Sequence, residues 1–274
     1  MSRWIHELTW PDVAEYLERG DTALLPVGAV EQHGPHCPLM TDIAEAMATA
    51  EGVAERADAL IAPPIYPGWS PHHMAFPGTI TLRPETLTRL VEDTCHSLVC
   101  HGFKHILVIN GHRVANLPPL QIAVTRVRNV TGAAVALVDI ALVAGKEIRE
   151  VCESPPNGVG HGCESETSFM LYKFGDRVRM ERAEDRIAPV GEFERRFITP
   201  DHATNMVENV KVFFPQTIEE AGEANAGNGA AGAPTLASAG KGERIYEAIV
   251  GNTARFVEEF QKTPVAIKGT FPPI

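Results

Sequence analysis

Glu31 and His33 stand two residues apart in Val30-Glu31-Gln32-His33-Gly34-Pro35-His36, directly after an apolar run. On an extended backbone, residues i and i+2 face the same way, so a carboxylate and an imidazole point together there. Thr41-Asp42 follows at the expected start of a helix, which can return a second carboxylate to the same point. A second cluster, Asn110-Gly111-His112-Arg113, ends another apolar run, and Gly111 permits a sharp turn that delivers His112 to a strand's edge. A third is His161-Gly162-Cys163-Glu164-Ser165-Glu166-Thr167-Ser168. Acids in a first helical turn are favoured by the helix dipole alone, so Glu164 and Glu166 also read as helix-start residues. Together Glu31, His33, Asp42, His112 and Glu166 make an oxygen/nitrogen donor set without thiolate. That set suits Zn²⁺, Mn²⁺ or Fe²⁺ better than a Cys-type structural zinc site. One ion, or two bridged by Asp42, would turn a water into a hydroxide nucleophile and polarise a carbonyl.

These residues need strands to end in one place. Thr22–Val30, Ile106–Asn110 and Ala133–Ile140 read as strands, and Leu60–Ile65 is a further apolar run broken by Pro63 and Pro64. Trp10–Glu18, Asp42–Arg56, Pro84 to about His101, Ala115–Val130, Glu164–Lys173 and Ile245–Phe260 read as helices. The alternation predicts an α/β fold: a mostly parallel sheet with helices on both faces and ligands at the strands' carboxyl ends. Ser154–Gly162 and the Gly/Ala/Asn-rich Ala221–Ala233 read as loops, the second either a linker or a fixed backbone lining a site. With no repeat and no boundary, residues 1–274 read as a single domain.

Composition excludes several classes. The 274 residues carry 24 Lys+Arg against 35 Asp+Glu, a net charge of −11 with no basic run, which excludes nucleic acid as the main partner. No run approaches the roughly 18 apolar residues of a membrane span. The start lacks an apolar signal region, and the five Cys show no CxxC spacing, which fits free thiols in a cytoplasmic protein. Eight of the 11 His lie between His33 and His112. Within Trp69-Ser70-Pro71-His72-His73-Met74-Ala75-Phe76, His72 or His73 could bond a polar substrate, with a solvated loop histidine as the competing reading. His36 has similar standing as an outer partner of the metal site.

The chain resembles the creatininase (creatinine amidohydrolase) family. The matching stretches are Leu25–His36 with Thr41-Asp42, Phe76-Pro77-Gly78-Thr79-Ile80, Asn110-Gly111-His112, Glu166-Thr167-Ser168, and Gly232–Ser238. The resemblance implies a creatininase-like α/β fold, a divalent-metal hydrolase and often a homohexamer. It maps metal ligation onto Glu31, His33, Asp42 and His112, makes Glu166 a further ligand or proton shuttle, and gives His161 a catalytic role beside the substrate. Two departures stand out. In creatininase the Asn-Gly-His motif is followed by an aromatic residue and a metal-binding Glu, where this chain has Arg113-Val114. Creatininase also covers its flat substrate with Trp residues, whereas this chain has only Trp4, Trp10 and Trp69.

The expected function is a Zn²⁺- or Mn²⁺-dependent hydrolase (Fe²⁺ also suits) that opens a ring in a small polar carbonyl compound other than creatinine. Glu166 or His161 would pass a proton to the leaving atom. If that atom is nitrogen, the enzyme is a cyclic amidohydrolase. If it is carbon, it hydrolyses a cyclic polyol diketone of the dehydro-inosose type. Arg113 would suit an anionic or hydroxyl-rich substrate group, against a salt bridge to a sheet-edge carboxylate. A non-catalytic metal-binding protein on the same scaffold is the remaining class.

Overall fold

Four largely apolar segments pair in one parallel sheet whose two faces are both covered by helices. The computed structural model describes residues 2–113, 115–155, 160–187, 217–224 and 228–269. Its strands are β1 (Thr22–Val27), β2 (Leu60–Ile61), β3 (His105–Asn110) and β4 (Ala134–Asp139), in the order β2-β1-β3-β4. Register runs from Thr22↔His105 to Val27↔Asn110, and from His105↔Ala134 to Asn110↔Asp139. The carboxyl ends of β1, β3 and β4 are therefore level.

Successive strand residues feed two cores, as the two-residue period requires. Leu24, Leu107 and Ile109 join one with Ala46, Val53, Ile249 and Val257. Ala23, Leu25, Ile106 and Val108 join the other with Leu87, Val91, Leu120 and Val127. The helices are α1 (Trp10–Leu17), α2 (Thr41–Ala57), α3 (Pro84–Cys100), α4 (Leu117–Thr131), α5 (Ile140–Val143), α6 (Gly145–Val151), α7 (Glu164–Phe174), α8 (Ile218–Ala224) and α9 (Ala239–Phe260). Helices α2 and α9 thus cover one face, and α3 and α4 the other, so the α/β expectation is met. No helix among the described residues is long and apolar enough to cross a membrane.

Three boundaries differ from expectation. β1 ends at Val27, not Val30; the next residue, Gly28, still donates to the Ile65 carbonyl and packs so closely on Ile43 of α2 that any side chain would collide with that backbone. β2 is only two residues long, since Pro63 and Pro64 lack ladder donors. The expected loop Ala221–Ala233 begins inside α8, and its residues 225–227 lie outside the described residues. Thr217 explains the helix: its Oγ1 accepts Glu220 N at 3.2 Å, and Glu220 Oε2 accepts Thr217 N at 2.8 Å, a reciprocal cap. Residues 156–159 of the Ser154–Gly162 loop, and Val114, also lie outside the described residues.

Candidate metal centre

Close backbone approaches assemble the site. Gly111, just past β3, sits against the carbonyl oxygen of Asp42, where a Cβ would collide. The end of β3 can therefore touch the first turn of α2, which brings His112 to Asp42. Gly162, at φ +56, packs in the same way on the backbone of His33 and brings the start of α7 to the first cluster.

The result is a buried group of carboxylates and imidazoles. His33 Nε2 lies 3.1 Å from Asp42 Oδ1, and His112 Nδ1 lies 3.2 Å from Asp42 Oδ2. Glu31 Oε2 is 3.4 Å from His112 Nε2, while Glu31 Oε1 is 3.3 Å from His73 Nε2 and 3.7 Å from His161 Nδ1. Three sets of ligand atoms converge within 4.8 Å: Glu31/Asp42/His112, His33/His161/Glu166 and Glu31/His73/His161. The rings also touch, with His161 centred 4.1 Å from both His33 and His73.

Backbone carbonyls settle which ring nitrogens are protonated. A carbonyl oxygen only accepts, so the nitrogen facing it carries the hydrogen. His33 Nδ1 donates to the Glu31 carbonyl at 3.3 Å, His112 Nε2 donates to the Trp69 carbonyl at 3.2 Å, and His161 Nε2 donates to the Gln32 carbonyl. In the neutral rings the remaining nitrogens face carboxylate oxygens with lone pairs: His33 and His112 toward Asp42, His161 toward Glu31. Lone pairs at these distances need a proton or a cation between them. Both Glu31 oxygens and Asp42 Oδ2 are also buried without a well-aligned hydrogen bond. A divalent cation fits this donor set, and it satisfies what the protein itself leaves unsatisfied.

Without an ion, protons take its place between these atoms. Burial works against a charged His33, but Asp42 overrides it and pushes the ring up to about 10. His112 is raised to about 9 against burial by Glu31 and Asp42. Burial lifts Glu31 to about 7, opposed chiefly by His112. Asp42 is held below the ordinary carboxylate range, because His33 and His112 together outweigh its burial. Burial, then the neighbouring His33, pushes His161 well below an ordinary imidazole. Burial raises Glu166, with His33 opposing.

All five expected ligands are brought together, and His161 and His73 join them. Glu166 also accepts Gly162 N at 2.6 Å and Cys163 N at 3.4 Å through Oε2, so it caps α7 while facing the site. His72 stacks parallel to His112 at 6.1 Å between centroids. Arg113 is half-buried, and its charge acts on Asp139 at the end of β4. His36 bonds Thr167 Oγ1 at 2.8 Å through Nε2. Glu164 faces elsewhere and takes the helix-start role. Sequence reading missed Gln32 and Glu45. Glu45 lies one turn after Asp42 on α2, and its carboxyl is pushed well up by burial, then by Glu166 and Asp42. The i, i+3 spacing from Asp42 was the available signal.

A family model described as creatininase (creatinine amidohydrolase) matches residues 6–257. The chain belongs to the creatininase family. Its relatives include the creatinine amidohydrolase of Pseudomonas putida, 29% identical over 96% of this chain and 99% of that protein. A mycofactocin precursor peptide peptidase of Mycolicibacterium smegmatis is 30% identical over 87% of this chain and 85% of its own. A 3-dehydro-scyllo-inosose hydrolase of Thermotoga maritima is 26% identical over 98% of this chain and 86% of its own. A solved manganese form of creatininase has a TM-score of 0.76 at 26% identity, covering 94% of this chain and 98% of that one. As a creatininase-family member the protein is a hydrolase, and its donor set is the feature that metal dependence requires.

Proposed function

We propose that the protein is a divalent-metal-dependent hydrolase that opens a ring in a small, polar carbonyl compound. The observation that carries this reading is the trio of histidines whose protons are tied to backbone carbonyls and whose lone pairs face buried carboxylates. Glu31, Asp42 and His112 would hold one ion, and His33, Asp42 and Glu166 a second. Zn²⁺ or Mn²⁺ suits these donors, and when bound it polarises a carbonyl and acidifies a water. Glu166 is turned toward the site because the N–H groups of Gly162 and Cys163 hold Oε2. His161 has Nε2 committed to Gln32, so Nδ1 is the atom that receives a proton and returns it to the leaving atom. His72 and Arg113 are assigned to the substrate's polar groups. A homo-oligomer, implied by the resemblance, belongs to the same proposal.

The absence of a tryptophan lid supports a substrate other than creatinine. Trp4 donates to Glu51 at 3.1 Å, Trp10 is 82% exposed at the start of α1, and Trp69 packs against the core cluster of Leu25 and Ile106. A hydroxylated ring fits such a site better than a flat heterocycle, which supports carbon–carbon cleavage of a cyclic polyol diketone as the second reading. The test is turnover of a panel of lactams, cyclic polyol ketones, creatinine and a short peptide, before and after chelation. The reading expects turnover of a small ring, lost on chelation and restored by Zn²⁺ or Mn²⁺. Turnover that survives complete metal removal would overturn it, and turnover of creatinine would refute the argument from tryptophan.

A further inference from the structure

Unlike His33, His112 and His161, His73 has both ring nitrogens facing side chains and neither bonded to a backbone carbonyl. Its neighbour Gln32 sits in a frame of backbone groups. Gln32 Oε1 accepts Gly34 N–H at 2.9 Å, and Gln32 Nε2 donates to the Gly229 carbonyl at 2.9 Å. A backbone N–H only donates and a carbonyl only accepts, so the amide cannot be turned over. Its second N–H faces His73 Nδ1 at 2.9 Å. That ring nitrogen must accept, and the proton of the neutral ring is on Nε2. Nε2 is the atom 3.3 Å from Glu31 Oε1.

The frame reaches far along the chain. Gly229, at φ +84, packs against the Gln32 amide so tightly that any Cβ would overlap it. The next residues clamp the other side of the site: His161 N donates to the Ala231 carbonyl at 3.0 Å, and Ala231 N to the His161 carbonyl at 2.7 Å. The described part of the Gly/Ala-rich stretch is thus a fixed backbone holding Gln32 and His161.

We propose that His73 is a positioning residue for Glu31: Gln32, clamped by Gly34 and Gly229, fixes the tautomer that presents Nε2–H to Glu31 Oε1, so the ring is neither a metal ligand nor a substrate contact. This rests on the metal-site reading above. His33, His112 and His161 each give a ring proton to a backbone carbonyl, whereas His73 accepts from the Gln32 amide and turns its proton to Glu31 Oε1, opposite the oxygen that His112 Nε2 approaches at 3.4 Å. Its N–H dipole offsets charge on Oε1 and restrains the rotation of the carboxylate, as outer partners of ligands do.

Zn²⁺ affinity of the chelator-stripped chain, together with nitrogen-15 NMR of the histidine rings, tests this. His73→Leu should weaken Zn²⁺ binding about 10–100-fold, and His73→Gln, which keeps an N–H near Glu31, should recover most of the loss. Gln32→Leu should move part of the His73 proton from Nε2 to Nδ1 in the spectrum. The proposal is overturned if His73 of the Zn²⁺-loaded wild type carries its proton on Nδ1, the signature of a ligand bound through Nε2. It is equally overturned if His73→Leu binds Zn²⁺ as the wild type does. Failure of the metal-site reading looks different: wild type and variants alike would bind no Zn²⁺, and the proposal falls with it. Should His73→Leu not fold, the wild-type spectrum and Gln32→Leu still decide.

Discussion

Glu31 and Glu164 are both 0% exposed, yet they are opposite kinds of buried carboxylate. Glu164 is fully partnered. It accepts Glu153 N at 3.0 Å, Ser154 N at 2.7 Å, Ser154 Oγ at 2.6 Å and Lys241 Nζ at 2.5 Å. It pins the chain after α6 and the start of α9 to the first residue of α7, and despite burial its carboxyl is held below the usual range by Lys241 and Ser154. Glu31 receives no well-aligned hydrogen bond on either oxygen. A buried carboxylate that the protein satisfies is a structural post, and one left without a hydrogen bond in a ring of imidazoles and carboxylates is a place for a cation. The two sit in motifs of equal prominence in the sequence, so residue type does not separate them and hydrogen-bond accounting does.

The largest expected effect comes from the unsatisfied side. Asp42→Asn removes the charge facing both His33 and His112 and should abolish activity and metal binding, by more than the roughly 100-fold that outer partners are worth. Metal content and turnover check this, with circular dichroism showing a folded chain. On the satisfied side, Glu164→Gln breaks a buried pair and should cost about 2–4 kcal/mol of stability. Denaturant unfolding of the stripped chain reads that loss, and Zn²⁺ should still bind. If Glu164→Gln lost metal as completely as Asp42→Asn, the distinction between the two carboxylates would collapse. Gly111→Ala forces β3 away from the start of α2 and should cost about 1–3 kcal/mol by overpacking. It should also weaken Zn²⁺ binding by separating His112 from Asp42.

The pH response is the mildest test, with a slope of at most about 1.4 kcal/mol per pH unit for each proton. His33 and His112 are raised to about 10 and about 9 in the folded, metal-free chain. Their stabilising contribution is fully present below the unfolded histidine value near 6.5 and is lost as pH rises through 9 to 10. The melting temperature of the stripped chain should therefore fall between pH 7 and 10. Zn²⁺ affinity should rise over the same range, since protons compete with the ion for the same atoms. Parallel slopes would contradict that competition.

Much of this was legible in the sequence. Apolar runs located β1, β3 and β4, and the i, i+2 spacing of Glu31 and His33 marked the site. Thr217 and Glu220 also spelled out a cap, which the glycine and alanine around them obscured. The remainder depends on contacts that no local pattern encodes. Gln32 meets Gly229 across 197 residues of chain, and His161 meets its carbonyl across 129. Whether a histidine turns a proton or a lone pair inward depends on such partners, so His33 and His73 look alike in sequence and act differently in the fold.

Equilibrium Zn²⁺ binding to the chelator-stripped wild type, Glu31→Gln and Glu164→Gln tests the central claim most directly. The account predicts one or two ions per wild-type chain, binding lost in Glu31→Gln and retained in Glu164→Gln. Equal binding by wild type and Glu31→Gln, or no binding by the wild type, would contradict it.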